Sequence, residues 1–318
     1  MFFDLGTSKS KSNIKEYYDM IIIGGGPAGV AAGIYAVQGG IKPLIIEKDL
    51  DGGQINLTEY VENYPGFSSI TGEELAEKMG EHAKKFGVEF HYGEVINVNF
   101  EKEEKIISLD DGNIVKAKTV VIATGATPRK LNVPGEKEFA GRGVSYCATC
   151  DGHFFKNQKV AVIGGGNTAV EEALYLSKIA KEVYIIHRRD KLRADKIYQD
   201  KAFNTANIKF IWNSVVKEIK GDKKVNQLVL ENRENGEVSN FDVDGVFVFV
   251  GLLPVTQLFK DKIKLDDYGY IIVDEHRETN VKGVFAAGDV IQKELRQIIT
   301  AAADGAIAAS FAVREYFN

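Results

Sequence analysis

The segment from Ile21, IIIGGGPAGVAAGIYAVQGGIKPLIIEKD, lies without a gap on the segment from Ala161, AVIGGGNTAVEEALYLSKIAKEVYIIHRRD, at an offset of 140 residues. That offset is far too long for a solenoid repeat and specifies a duplicated strand–turn–helix–strand unit. Each copy carries Gly-x-Gly-x-x-Gly or its alanine variant directly after a β-branched strand: Gly24, Gly26 and Gly29, then Gly164, Gly166 and Ala169. The first glycine makes the turn. The second lets a pyrophosphate reach the backbone, and the third small residue lets the helix pack on the strand. Amides at the new helix N-terminus face the phosphates. Two dinucleotide sites are expected.

The ends of the second strands tell the two ligands apart. Twenty-three residues beyond the first glycine stands Glu47 in one copy and His187 in the other, the latter followed by Arg188, Arg189 and nearby Arg193. A carboxylate accepts hydrogen bonds from a ribose diol, whereas guanidinium forks suit a 2′-phosphate. The first copy is therefore expected to take an unphosphorylated adenosine such as that of FAD, and the second NADP(H).

Length and composition bound the rest. At 318 residues the chain is about twice the usual ~150 of a domain. Glycine supplies 32 residues, about 10% against a background of about 7%, with only 6 prolines. That balance points to tight turns between regular elements and excludes collagen-like and low-complexity folds. A net charge of −5 argues against a general affinity for nucleic acid or anionic membrane. No apolar run reaches the ~18 residues of a membrane span. Met1 to Asp19 is polar and lysine-dotted, and reads as a flexible arm rather than a signal peptide.

Between the copies, from Glu89 to Val121, short alternating runs read as strands with a turn at Asp111-Gly112; a similar set spans Ile208 to Val250 with a turn at Asn235-Gly236. These clusters close on Gly125 and Gly251. Beyond Gly251 come the runs YGYIIVD and VFAAGDV, then an alanine-rich helical stretch from about Ile298 to Tyr316. This tail has no glycine fingerprint of its own, so it completes the first domain and makes the second an insertion: residues 1–125 with 253–318, and residues 126–252. A domain held by two short crossings can swivel as a body. In VFAAGDV, Gly288 permits close approach of a ligand, and Asp289 offers a carboxylate to a ribityl hydroxyl. A helix beginning near Gln297 would stabilise negative charge on a reduced flavin.

Two cysteines cannot form a disulfide scaffold. They stand as Cys147-Ala-Thr-Cys150, followed by Asp151, about ten residues before the second glycine strand. A structural zinc needs four ligands, and no second Cys-x-x-Cys exists, so no metal is expected. A redox dithiol remains. Electrons would pass from NADPH to flavin, then to the Cys147–Cys150 disulfide, then to an external disulfide. Asp151 can supply or take protons, or cap a helix. Because the nucleotide site and the dithiol share one domain while the flavin belongs to the other, rotation of the inserted domain is expected between half-reactions.

With these residues in view, the sequence resembles the bacterial low-molecular-weight thioredoxin reductases, class II pyridine nucleotide-disulfide oxidoreductases. The shared motifs are GGGPAG at Gly24, GGQ at Gly52, TEYVENYPG at Thr58, ATGA at Ala123, CATCDG at Cys147, GGGNTAVEEALYL at Gly164, HRRDKLRA at His187, AAGDV at Ala286 and RQ at Arg296. The resemblance implies an α/β fold of two Rossmann-like, three-layer ββα dinucleotide-binding domains, the second inserted into the first. FAD would be held by Gly24, Gly26, Pro27, Ala28, Gly29, Glu47, Gly52, Gly53, Gln54, Asn63, Thr124, Gly125, Gly288, Asp289, Arg296, Gln297 and Ile298. NADPH would be held by Gly164, Gly166, Asn167, Thr168, His187, Arg188, Arg189 and Arg193. It further implies that Cys150 faces the flavin, Cys147 attacks thioredoxin and Asp151 is the acid–base residue, in a cytoplasmic homodimer. Two positions depart from the family. Leu252-Leu253-Pro254-Val255 stands where many members have His-Ser-Pro-Asn, and His153 stands where an apolar or small residue is common.

Two other readings use the same residues. One is a flavin-dependent reductase of another disulfide protein. The other is a ferredoxin- or quinone-linked electron-transfer flavoprotein in which the cysteines are incidental.

Overall fold

A computed structural model describes residues 14–49, 51–57, 60–61 and 63–318, without the side chains of Leu57, Tyr60 and Cys150. The chain divides into two compact units, one of Met1–Leu57, Val61–Thr127 and Leu253–Asn318, the other of Thr58–Tyr60 and Pro128–Leu252. The chain begins with β1 (Tyr17–Ile23), α1 (Pro27–Gln38), β2 (Pro43–Glu47), β3 (Tyr60–Val61), β4 (Ile70–Thr71), α2 (Gly72–Phe86), β5 (Glu89–Tyr92), β6 (Val95–Asn99), β7 (Lys105–Leu109) and β8 (Ile114–Ile122). A crossing strand, β9 (Ala126–Pro128), leads to β10 (Val144–Ser145), α3 (Ala148–Asp151), β11 (Lys159–Ile163), α4 (Asn167–Leu176), β12 (Glu182–Ile186), α5 (Lys196–Phe203), β13 (Ile208–Ile211), β14 (Ser214–Gly221), β15 (Val225–Asn232), β16 (Val238–Asp242) and β17 (Gly245–Val248). The return crossing is β18 (Leu252–Pro254), followed by β19 (Val284–Ala286) and α6 (Ile298–Tyr316). The crossings β9 and β18 pair as a two-stranded ribbon.

In the first unit β5, β2, β1, β8 and β19 run parallel, and β8 branches: Ile114–Ala117 pair antiparallel with β7, while Val120–Ile122 pair with β19. The central strands are continuous apolar runs because both their faces are buried. Ile21, Ile23, Leu44, Ile46, Val120 and Ile122 face the layer containing β6 and β7, whereas Met20, Ile22, Ile45 and Val121 face α1 and α6. The second unit repeats this plan. Its parallel sheet runs β10-β17-β11-β12-β13, and its antiparallel sheet β14-β15-β16. Val160, Val162 and Ile185 face α4 and α5, while Ala161, Ile163 and Ile186 face the antiparallel sheet. Each unit is thus helix, parallel sheet and antiparallel sheet in three layers, the Rossmann-like arrangement expected.

One local expectation is corrected. Most of the anticipated flexible arm, residues 1–13, lies outside the described residues, but its end is strand: Tyr17 and Tyr18 pair with Lys116 and Ala117. Tyr18 is buried and its hydroxyl donates to Glu89 Oε1 at 2.8 Å, so one aromatic ring fixes a segment whose composition reads as polar. Within the run YGYIIVD, Ile271 makes isolated bridges to Leu265 and Ile291.

Candidate dinucleotide turns and dithiol

The two glycine turns are built alike. Gly24 N–H donates to the Ile46 carbonyl at 2.8 Å, and Gly164 N–H to that of Ile186 at 3.1 Å. Gly24 and Gly164 have φ of 110° and 154°. A Cβ on either would come 2.4 Å from a backbone oxygen, that of Ala123 or Phe249. The third position is equally tight in the first copy, since a Cβ on Gly29 would lie 1.9 Å from the Gly24 oxygen. The second glycines are different. Nothing lies within 4 Å of a Cβ built on Gly166, and only the Gly52 oxygen, at 3.8 Å, approaches one on Gly26. The fold demands Gly24 and Gly29 in the first copy and Gly164 in the second, and leaves open the glycine at the N-cap of α1 or α4, which is the shape a pyrophosphate requires.

This contrast yields an expected result. Gly29→Ala costs roughly 2–4 kcal/mol of stability by backbone clash. Gly26→Ala costs about 1 kcal/mol or less at an N-cap yet fails to retain dinucleotide. Thermal midpoints and the absorbance of the purified proteins separate the two effects. If Gly26→Ala kept its full complement of dinucleotide, that turn would not be the phosphate site.

Other expected groups lie in the same unit as the first turn, several of them against it. Pro27 opens α1, and Ala28 lies beneath Gly305 of α6, where a Cβ would come 1.9 Å from the Ala28 oxygen. Gly52 N–H donates to the Gly25 carbonyl at 2.9 Å, Gly53 has φ of 55°, and Gln54 is exposed beside it. Glu47 is buried, with Oε2 accepting from Gly25 N–H at 2.5 Å and Oε1 from Asp49 N–H at 2.9 Å. Its carboxylate therefore fixes the turn, and each oxygen keeps a lone pair for a further donor. Thr124 Oγ1 donates to the Val255 carbonyl at 2.7 Å, and Gly125, with φ of 68°, accepts from Val255 N–H. Asn63 Nδ2 donates to Gln297 Oε1 at 3.0 Å, joining residues 234 apart. Gln297 caps α6 reciprocally with Thr300, and Ile298 is its first residue.

At the end of β19, Gly288 adopts φ of 82° and Asp289 is half-buried. Asp289 Oδ1 is out of reach of solvent and has no hydrogen-bond partner, only Lys293 Nζ at 3.4 Å. Burial raises its pKa, opposed chiefly by Lys293 and then Arg296. The Arg296 guanidinium stacks 4.1 Å from the Tyr270 ring centroid, with Nε buried and unpartnered. An orphaned acceptor and an orphaned donor are the signature of a polar ligand site. Asp304 supports it, accepting from Arg277 Nε at 2.8 Å, Lys293 Nζ at 2.9 Å and Gly288 N–H at 3.3 Å. Asp304, Arg277 and Tyr270 were not singled out in the sequence. Asp304 could have been, as a lone acid on the apolar stripe Ala301, Ala308 and Ala312 of α6.

The second turn is tied to its arginine loop. Arg193 and Ala194 N–H both donate to the Gly165 carbonyl, at 2.6 and 3.1 Å. Asn167, first in α4, exchanges two bonds with Asp195: Nδ2 to Oδ2 at 2.8 Å and Asp195 N–H to Oδ1 at 2.7 Å. Asn167 and Thr168 are exposed at the helix start, as are Arg188, Arg189 and Arg193. His187 is buried against Gly165, and its Nε2 has no partner. Burial first, then the charges of Arg193, Arg188 and Arg189, hold its pKa below the usual histidine range. Three cations thus converge on one imidazole, a field that suits a phosphate.

Cys147 is half-buried and disulfide-bonded, and no described cysteine is free. Ser145 frames it: Cys147 N–H donates to Ser145 Oγ at 3.1 Å, whose hydroxyl donates to the Cys147 carbonyl at 3.0 Å. Cys147 Sγ lies 3.4 Å from Thr149 Oγ1. Asp151 N–H bonds the Cys147 carbonyl at 3.3 Å, but its side chain makes no capping bond to the turn Gly152–Phe155, so the capping role is not taken up. No group of three or more metal-ligating side chains occurs among the described residues, and no described helix is long and apolar enough to cross a membrane.

Comparison with known proteins agrees with this architecture. Residues 18–305 match the family described as pyridine nucleotide-disulphide oxidoreductase. The chain is 50% identical over 296 residues to the thioredoxin reductase of Bacillus subtilis (strain 168), covering 93% of each. It is 51% identical over 295 residues to that of Listeria monocytogenes, covering 92% of each. The crystal structure of Lactococcus lactis thioredoxin reductase in its FR conformation superposes with a TM-score of 0.78 at 49% identity, over 93% of this chain and 98% of that one. Two glycine turns of one design, a bonded cysteine after the first crossing and a family match across nearly the whole chain lead to one conclusion: the protein is an oxidoreductase and belongs to the pyridine nucleotide-disulphide oxidoreductase family.

Proposed function

We propose that the protein is an NADPH-dependent thioredoxin reductase, with FAD in the domain of residues 1–125 and 253–318, and with NADPH and the Cys147–Cys150 pair in the inserted domain 126–252. The observation that carries this reading is the pairing of two unlike ribose ends, Glu47 and His187-Arg188-Arg189, with one Cys-x-x-Cys, in a chain half identical to proteins of that name.

When bound, these groups supply hydride transfer from a nicotinamide and delivery of two electrons to a disulfide. The chain does the rest. Open Gly26 and Gly166 would admit the pyrophosphates, Asp289 would accept from a ribityl hydroxyl, and the N-terminus of α6 would offer positive potential to the flavin ring. Arg188, Arg189 and Arg193 would hold a 2′-phosphate. Cys147, as thiolate, attacks the thioredoxin disulfide and forms a mixed disulfide while the first thioredoxin thiolate leaves. Cys150 then attacks Cys147 Sγ, releasing the second thiolate and closing the pair. Asp151 carries the protons these sulfurs exchange. Because the arginines and the dithiol share one domain, the reading includes rotation of that domain on the two crossings. It also includes a homodimer working in the cytoplasm, where thiols are kept reduced.

Stopped-flow absorbance tests the assignment: NADPH bleaches the flavin, and oxidised thioredoxin restores its colour within the same experiment. Flavin that NADPH leaves oxidised would overturn it.

A further inference from the structure

Glu172, in the second turn of α4, belongs to none of the sites above. Helix α4 packs on the cysteine-bearing segment: Ala148, between the two cysteines, is fully buried, and a Cβ on Gly152 would meet Leu176 at 3.0 Å and Tyr175 at 3.4 Å. Into this contact Glu172 brings a carboxyl whose Oε2 is closed to solvent and has no hydrogen-bond partner. Shutting one carboxylate oxygen away from solvent and from any donor is costly, which favours the protonated form. Burial first, then the neighbouring charge of Glu171, push its pKa up to about 7, with the Ala148 amide pulling the other way.

The charged and titratable neighbours are few. Helix α4 itself offers Glu171, which pairs with Tyr198 of α5. The segment around α3 offers Asp151, His153 and the cysteines. Strands β11 and β12 turn their charges elsewhere, Lys159 lying over the Phe241 ring and Glu182 bonding Lys209. Ala148, whose amide acts on Glu172, follows Cys147 directly in the chain, so reduction of the pair introduces a new titrating group next to this contact.

We propose that Glu172 is a positioning residue for the dithiol, a buried acid whose ionisation competes with that of the cysteine thiols and so shifts thiolate formation to higher pH. The inference rests on reading Cys147 and Cys150 as the redox pair. Reduction breaks one S–S bond and takes two electrons, supplied by NADPH in turnover or by dithiothreitol in the test. It takes up two protons if both sulfurs end as thiols, and one if one remains a thiolate. Glu172 changes the pH at which the second of these protons leaves to solvent, and leaves the electron count untouched. As a carboxylate it opposes the thiolate by like charge; as an acid it does not.

The test uses holoenzyme reduced with dithiothreitol, freed of reductant and alkylated with iodoacetamide across a pH series. In wild type the rate rises over a broad, two-step range. Glu172→Gln, which keeps an acceptor for the Ala148 amide, gives one step at lower pH and a rate near neutrality about threefold to tenfold higher. Superimposable profiles overturn the proposal. Should the variant not fold, infrared titration of wild type provides a second measurement. The carboxylic acid band of Glu172 persists to higher pH in the reduced enzyme than in the oxidised one, and equal midpoints overturn the proposal. Neither measurement needs NADPH or thioredoxin, so failure of flavin bleaching would strike the proposed function and leave this result readable.

Discussion

Serine at Cys147 or at Cys150 abolishes thioredoxin reduction, by more than about 1,000-fold, while the flavin still bleaches on addition of NADPH. The alcohol of serine neither ionises near neutral pH nor closes a disulfide, so the electrons reach the flavin and stop. The substitution at Cys147 leaves its frame intact, because Ser145 holds that residue through its backbone N–H and carbonyl rather than its sulfur. Loss of activity is therefore readable as lost chemistry, and circular dichroism and flavin content should match wild type. Two outcomes would redirect the assignment. Retention of a tenth of the thioredoxin activity would place the electron path elsewhere, and undiminished quinone or ferredoxin reduction alongside absent thioredoxin reduction in wild type would favour the electron-transfer flavoprotein.

Replacing both Arg188 and Arg189 with glutamine raises the KM for NADPH about 10- to 100-fold, and leaves the KM for NADH nearly unchanged. The magnitude follows from losing charge-assisted hydrogen bonds of roughly 1.5–3 kcal/mol each, partly replaced by Arg193. The loop itself should persist, since it is held by backbone bonds to Gly165 and by the Asn167–Asp195 pair, neither of which uses a guanidinium. A second readout is internal. The same arginines help hold His187 below the usual histidine range, so its pKa rises in the double variant, measurable by proton NMR. Equal losses for NADPH and NADH would refute the 2′-phosphate assignment.

Much of the site was legible because its requirements are local. A turn with φ of 110° that also brings the Gly24 oxygen within 1.9 Å of a potential Cβ on Gly29 admits glycine and little else, so the spaced glycines announce themselves in the sequence. The helix predicted from Ile298 to Tyr316 spans those residues, its alanine stripe recurring at helical spacing. Less legible was the use each polar group finds. Glu47 was expected to await a ribose, yet both its oxygens already accept from Gly25 and Asp49, since a carboxylate beside free amides satisfies them first. Asp151 reads as a helix cap and makes no cap. Tyr18, within a polar leader, is buried because β8 and Glu89 meet it from about 70 to 100 residues away.

By itself the sequence determined the duplicated turn–helix unit, the unlike residues at the ends of its second strands, Glu47 against His187-Arg188-Arg189, and the spacing of the two cysteines, all of which are facts of neighbouring residues. Only the tertiary structure decided which distant groups complete each site. Asn63 meets Gln297, Asp304 steadies the turn at Gly288, Tyr270 backs Arg296, and Glu172 Oε2 is closed to solvent. The reason is that burial and the choice of hydrogen-bond partner depend on chain brought in from far along the sequence, and no local pattern carries that information.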